Sequence, residues 1–353
     1  MWNAFIKTFL ADLRQMLPFH ILVVAHAATV IGLVAWYSDF TATAYRQYVT
    51  QFGPLYFVGL PAILLLGKLV AGIFRNPKAP LAWMTWPTPV QLGQLAGAAT
   101  VFASLILFMG SFTTFKTLMP TLRGGFLYDR TQADLDALLH GGVDPGPRIM
   151  ATLGNPEILS ILQWNYSIAW TAVTFVPVFF IVLRANGALR LRYCLSFALV
   201  WAVLGNIIAC LFLSAGPAFY GHITGDAARF GEQLRTIDNG VGSALQAYLW
   251  QNYLQGVAGL GTGISAFPSV HVGAATMNAL FLRELNRAAG IAGFAYVIVI
   301  LASSALFGWH YLIDGYVSIV VVFLLHLALK RLFAARHRAA AGDIKLSPTP
   351  ATP

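Results

Sequence analysis

Charge is scarce in this chain. Only 10% of its 353 residues are Asp, Glu, Lys or Arg, thirteen of them acidic, while 58% are hydrophobic; mean hydropathy is +0.69. So little polar surface cannot cover an apolar interior of that size, which excludes a soluble globular domain and leaves an integral membrane protein. Cysteine is almost missing as well. Cys194 and Cys210 fall on one expected helix, about 24 Å apart at 1.5 Å per residue, so they cannot bond to each other. No His/Cys/Asp/Glu cluster has the spacing of a metal site, and no cofactor motif is visible. The glycine run "GVAGLGTGIS" (256–265) lacks the Gly-Lys-Ser/Thr ending of a phosphate-binding P-loop and reads as a flexible loop. Net charge is +9, yet no basic patch interleaved with aromatics occurs, and nucleic acid is not an expected partner. The N-terminus lacks the uninterrupted apolar core of a cleavable signal peptide.

What is present is apolar sequence in bilayer-sized lengths. A crossing takes about 17–25 residues, and eight stretches qualify, near 20–37, 54–74, 91–113, 165–183, 193–214, 268–284, 290–308 and 310–332. The expected fold is all-α, a polytopic membrane bundle of about eight transmembrane helices. Residues 1–19 carry Trp2, Phe5, Phe9, Leu10, Leu13 and Met16 opposite Lys7, Asp12 and Arg14, the pattern of an interfacial amphipathic helix. Residues 20–113 form an N-terminal transmembrane module, 114–333 the domain that carries the chemistry, and 334–353 a Pro- and Ala-rich tail without expected structure.

Orientation follows from Lys and Arg. With the N-terminus inside, the short inner segments hold Lys7 and Arg14, Arg75 and Lys78, Arg184, Arg190 and Arg192, Arg283 and Arg287, and finally Lys330, Arg331, Arg336 and Arg338. Both termini are then cytoplasmic. Two long segments, 114–164 and 215–267, lie outside; the first should form a short amphipathic helix and a surface cap.

In this topology "FPSVH" (267–271) and "HYLID" (310–314) reach the same depth on the outer side. His310 and Asp314 are one helical turn apart, so the carboxylate can fix the imidazole tautomer and leave the second nitrogen as a nucleophile. Pro268 suits a helix start. The amides of Ser269, Val270 and His271, with the Ser269 hydroxyl, would then face a phosphate, and His271 would protonate a departing oxygen. His26 and His326 lie within spans and read as hydrogen-bonded bundle residues.

With both motifs in hand, the chain resembles the type 2 phosphatidic acid phosphatase superfamily. "PSVH" is similar to its Pro-Ser-Gly-His motif and "HYLID" to its His-x-x-x-Asp motif, in the same order and at a similar gap, across roughly residues 160–330. The resemblance implies a six-helix-type core in which His310 becomes phosphohistidine, Asp314 orients it and His271 protonates the leaving group, with no metal. The departures are specific. Ser304 stands where the superfamily has Arg, "SAGPAFY" (214–220) replaces a Lys-and-Arg-Pro motif, and Val270 replaces glycine. These features resemble the inositol-phosphorylceramide synthase branch, which moves a phosphorylated head group between lipids. A reaction on phosphate still needs cations. Lys116, Arg123, Arg148, Arg229 and Arg235 are the outer candidates. Arg229 and Arg235 rank first because they lie in the long outer loop that joins "SAGPAFY" to "FPSVH", and Tyr220 joins them as a phosphate-binding candidate.

The expected function is a lipid phosphotransferase whose partners are membrane lipids and a lipid, alcohol or water acceptor. A lipid or polyprenyl phosphate phosphatase is the alternative, and a non-enzymatic lipid or ion carrier a second one. Composition and short inner loops point to a bacterial inner membrane with the site facing the periplasm.

Overall fold

The computed structural model describes residues 2–37, 41–79, 81, 86–184, 187–237 and 241–346. Every regular element among them is helical: α1 (Trp2–Trp36), α2 (Tyr45–Arg75), α3 (Pro89–Arg123), α4 (Asp129–Leu139), α5 (Pro145–Leu153), α6 (Pro156–Arg184), α7 (Gly187–Leu211), α8 (Tyr220–Thr224), α9 (Gly231–Thr236), α10 (Val241–Gln255), α11 (Val270–Leu285), α12 (Arg287–Leu306) and α13 (Leu312–Leu346). Seven of these, α1, α2, α3, α6, α7, α12 and α13, are long and apolar enough to cross a membrane. The chain is a multi-pass membrane protein. The eighth expected span is α11, whose 16 residues fall short of the roughly 20 that a crossing takes. It nevertheless runs from the histidine end of the bundle to the end where Glu284 lies, and every residue from Val272 to Phe281 is buried.

At both chain ends the helices run past the expected boundaries. The amphipathic stretch 1–19 is not a separate interfacial helix, because α1 runs unbroken through residue 19 to Trp36. Its first turns are claimed by the bundle. Gly93 and Gly97 on α3 are four residues apart, and a side chain at Gly93 would lie 2.8 Å from the Phe5 carbonyl oxygen, while one at Gly97 would strike the Asp12 carboxylate. Such small-xxx-small faces let membrane helices approach closely. Asp12 then ion-pairs with Arg190 of α7. At the other end α13 continues to Leu346, past the expected boundary at 334, because Ala334, Ala335 and Ala339 to Ala341 have the highest helix propensity. The rest of the expected tail, 347–353, lies outside the described residues.

The N-terminal helices share one apolar core with the others. Val101, Phe102, Leu105 and Phe108 of α3 are packed in one cluster with Phe179, Phe197 and Val272, and His26 of α1 hydrogen-bonds Asn206 of α7 at 2.9 Å. The turn between α11 and α12 is Asn286 alone, which caps α12 through Ala289 N at 2.8 Å. At one end of the bundle Glu284 gathers Arg192, His326 and Lys330. Both histidine motifs lie at the opposite end.

Candidate active site

The sequence "FPSVH" folds into the start of α11. Ser269 is the N-cap, its hydroxyl accepting from Val272 N at 3.3 Å, while its own N–H donates to the Asp314 carbonyl at 3.2 Å. That bond ties the two motifs backbone to backbone. Ser269 is fully buried and does not line the cavity described below. The residue expected as a phosphate ligand thus serves here as a helix cap, with its hydroxyl oxygen and its N–H both used in holding the loop.

His310 sits in the turn before α13, and Asp314 in that helix's first turn. His310 Nδ1 faces Asp314 Oδ2 at 3.2 Å, and the same oxygen accepts from Tyr311 N at 3.1 Å. Burial, and after it the Lys116 ammonium, push the His310 imidazole down to about 3, against a hydrogen bond to the Ala266 backbone, so it is neutral. The His271 ring lies across from it, centroid to centroid 6.2 Å. Two aromatics hold His271. Tyr166 stacks on it at 4.7 Å, and Trp170 packs at 3.9 Å with its Nε1–H donated to the His271 carbonyl at 3.0 Å. Tyr166 stands in a π-helical turn, Asn165–Ala169, a widening of α6 of the kind that aims side chains into sites.

A carboxylate pair that the sequence reading missed fixes this geometry. Asp129 and Asp136 stand on one face of α4, two turns apart. Asp129 accepts Ala215 N and Gly216 N, both at 2.8 Å, and the Tyr311 hydroxyl at 2.9 Å. Asp136 accepts Leu312 N and Ile313 N at 3.0 Å each, so it caps α13 from another helix. Burial raises the pKa of both against the pull of these hydrogen bonds. The sequence shows only that the two acids are seven residues apart; which amides they take depends on the fold.

Between α2, α3, α6, α7, α11 and the 256–266 loop lies a cavity of about 380 Å³. His271 and His310 are on its wall, with Trp309, Tyr166, Phe52, Met109 and Phe112 among the residues extending it into the bundle. Lys116 of α3 lines it too. The glycine-rich segment, expected as a flexible loop, covers the cavity with its second half. Thr262 is buried, and Gly263, at φ +88°, lies so close that a side chain there would meet the Lys116 carbonyl carbon at 2.7 Å.

The structure therefore brings His271, His310 and Asp314 together with Lys116. It does not bring Arg229, Arg235 or Tyr220 to the cavity. Arg229 forks onto Asp144, Nε and Nη2 at 2.9 Å each, reaches Asp134 at 2.6 Å, and touches the Tyr220 hydroxyl at 3.3 Å. It is a clip between the two long loops. Arg235 is exposed on α9, as is Arg148 on α5. Arg123 reaches the Leu211 carbonyl.

A histidine held by a buried aspartate faces a second histidine at one end of a membrane helical bundle, an arrangement able to combine a nucleophile with a general acid. Comparison with known families agrees. The model of the PAP2 superfamily matches residues 131–328, and the chain belongs to that superfamily. Membership supports an enzyme of the lipid phosphatase or phosphotransferase type. No curated protein and no solved structure matches the chain.

Proposed function

We propose that the protein transfers a phosphorylated head group between lipids, in the manner of inositol-phosphorylceramide synthases, through a phosphohistidine on His310. The single observation that carries this reading is the His310–Asp314 pair at 3.2 Å with His271 across a 6.2 Å gap on the same cavity wall. Asp314 holds the Nδ1–H, and the Nε2 lone pair attacks phosphorus. The P–N bond forms as the P–O bond to the donor lipid breaks, and His271 gives its proton to the departing oxygen. In the second half-reaction His271 takes the proton of the acceptor hydroxyl. The acceptor oxygen bonds to phosphorus and His310 leaves neutral.

Three departures from the hydrolytic motifs favour transfer: Ser304 in place of Arg, "SAGPAFY" in place of the Lys-bearing motif, and Val270 in place of glycine. With water as acceptor, the same residues would make a lipid or polyprenyl phosphate phosphatase. The histidines lie at the end of the bundle away from the basic segments around Arg184, Arg192, Arg283 and Lys330. By the positive-inside rule that end is the outer one. We place it on the periplasmic side of a bacterial inner membrane, with both termini cytoplasmic.

The test is a panel of labelled phospholipids presented to the purified protein in detergent, with and without ceramide-like and inositol-lipid acceptors, beside His310→Ala. Label moving to an acceptor in the wild type alone supports transfer, and label moving only to water supports the phosphatase. Equal inertness of both proteins across the panel, or activity that survives in His310→Ala, removes the reading.

A further inference from the structure

The superfamily motifs of this chain have lost their cations, yet the cavity has not. Lys116 stands on its wall with His271 and His310 and is close enough to act electrostatically on both imidazoles. It lies on α3, upstream of the matched segment 131–328. No Asp or Glu among the described residues forms an ion pair with it. The acids near the site have other bonds to keep: Asp129 holds Ala215, Gly216 and Tyr311, Asp136 holds Leu312 and Ile313, and Asp314 holds His310 and Tyr311. An ammonium on an intramembrane helix without a carboxylate is costly, and such residues mark sites where a partner arrives.

Three more donors on the same wall are open: Trp201 Nε1 deeper in the bundle, and two that flank the histidines. Trp309 Nε1 and the Tyr166 hydroxyl are buried and have no hydrogen-bond partner among the described residues. Buried donors are normally satisfied, so each of these two needs an acceptor that the chain itself does not supply. One positive charge and two neutral donors around a pair of histidines make the cradle of an oxyanion.

We propose that Lys116, with Trp309 Nε1 and the Tyr166 hydroxyl, binds the non-bridging oxygens of the phosphoryl group, so that a helix outside the superfamily segment completes the active site. This rests on the phosphohistidine reading for its purpose, but not for its test. Gly263 belongs to the same device, since its lack of a side chain lets the roof close on the Lys116 backbone. The N-terminal helices are then part of the enzyme.

The experiment measures binding of inorganic phosphate to the full-length protein in detergent, as wild type, His310→Gln, Lys116→Met and Lys116→Arg. The expected result is binding that survives in His310→Gln, weakens about tenfold or more in Lys116→Met, and returns to within a few-fold in Lys116→Arg, as loss of one charge-assisted contact predicts. Equal affinity in wild type and a folded Lys116→Met overturns the proposal, and so does absence of phosphate binding in the wild type. Should Lys116→Met fail to fold, Lys116→Gln against Lys116→Arg makes the same comparison, and equal affinity in those two overturns it. Lys116-dependent phosphate binding without any lipid phosphoryl transfer would leave the cradle standing and sink the catalytic reading. Transfer with unchanged kcat/KM in Lys116→Met would do the reverse.

Discussion

Asp136 caps the helix turn that holds Asp314. Its two carboxylate oxygens each take one amide, Leu312 N and Ile313 N at 3.0 Å, from a helix of the loop that precedes the motifs by more than a hundred residues in the chain. Asp136→Ala should therefore loosen the first turn of α13 and with it the orientation of His310. A loss of about 1–3 kcal/mol in stability is expected from two orphaned amides, with a fall in kcat larger than the change in KM. Thermal melting and steady-state kinetics on the same preparation check both.

His271 is expected to act on the leaving group. His271→Gln should lower turnover of lipid substrates by about 10²–10⁴, the usual worth of a general acid. The loss should shrink for a p-nitrophenyl phosphodiester, whose leaving group needs no proton. An equal loss for both substrates would assign His271 a structural role.

Protonation of His310 sets a pH window. Its folded pKa, about 3, lies below the unfolded value of about 6.5, so the unfolded chain binds the proton more readily. Its contribution to stability is present above about 6.5 and is lost as pH falls toward the folded value, by at most about 1.4 kcal/mol per unit. Because kcat/KM follows the folded enzyme's pKa, protonation of His310 should not limit it until pH nears about 3, whereas His310→Gln should show a flatter decline in melting temperature between about pH 6 and 4.5 than the wild type.

Gly263→Ala tests the roof. The backbone at φ +88° disfavours a side chain, and the new carbon would meet the Lys116 carbonyl carbon at 2.7 Å. A cost of about 1–3 kcal/mol is expected, together with weaker phosphate binding. Gly261→Ala shares the positive φ without a neighbour within 4 Å, so it separates backbone strain from displacement of Lys116.

Arg229 and Arg235 should behave unlike each other. Arg229→Gln breaks the fork onto Asp144 and leaves two carboxylates unpaired, so the melting temperature should fall while KM for a phosphoester stays within about two-fold. Arg235→Ala, on an exposed turn, should change neither stability nor kinetics beyond about 0.5 kcal/mol.

The two histidines and Asp314 were legible because "PSVH" and "HYLID" are local patterns whose depth follows from hydropathy. The choice of cation was not. Arg229 ranked high because it lies in the loop leading into "FPSVH", but proximity along the chain says nothing about partners, and Asp134 and Asp144 from the other loop bind it. Lys116 was one candidate among five, and only packing distinguishes a lysine on a cavity wall from one turned to solvent. The helical class followed from composition. The joining of α1 to α3 was written as Gly93-x-x-x-Gly97, a pattern that makes sense only once the facing helix is known. The roles of Asp129 and Asp136 depended on which amides the fold leaves open, and no local signal carries that.

The shortness of α11 bears on how a lipid would meet this site. Sixteen residues rise about 24 Å, some 6 Å less than a hydrocarbon core of about 30 Å. His271 is in its first turn, so under the phosphotransfer reading proposed above a phosphate that reaches it would stand beneath the plane of the surrounding head groups. A lipid could make that descent with its chains still among their neighbours, drawing a dimple in the leaflet, where a soluble phosphatase would have to lift the whole molecule out.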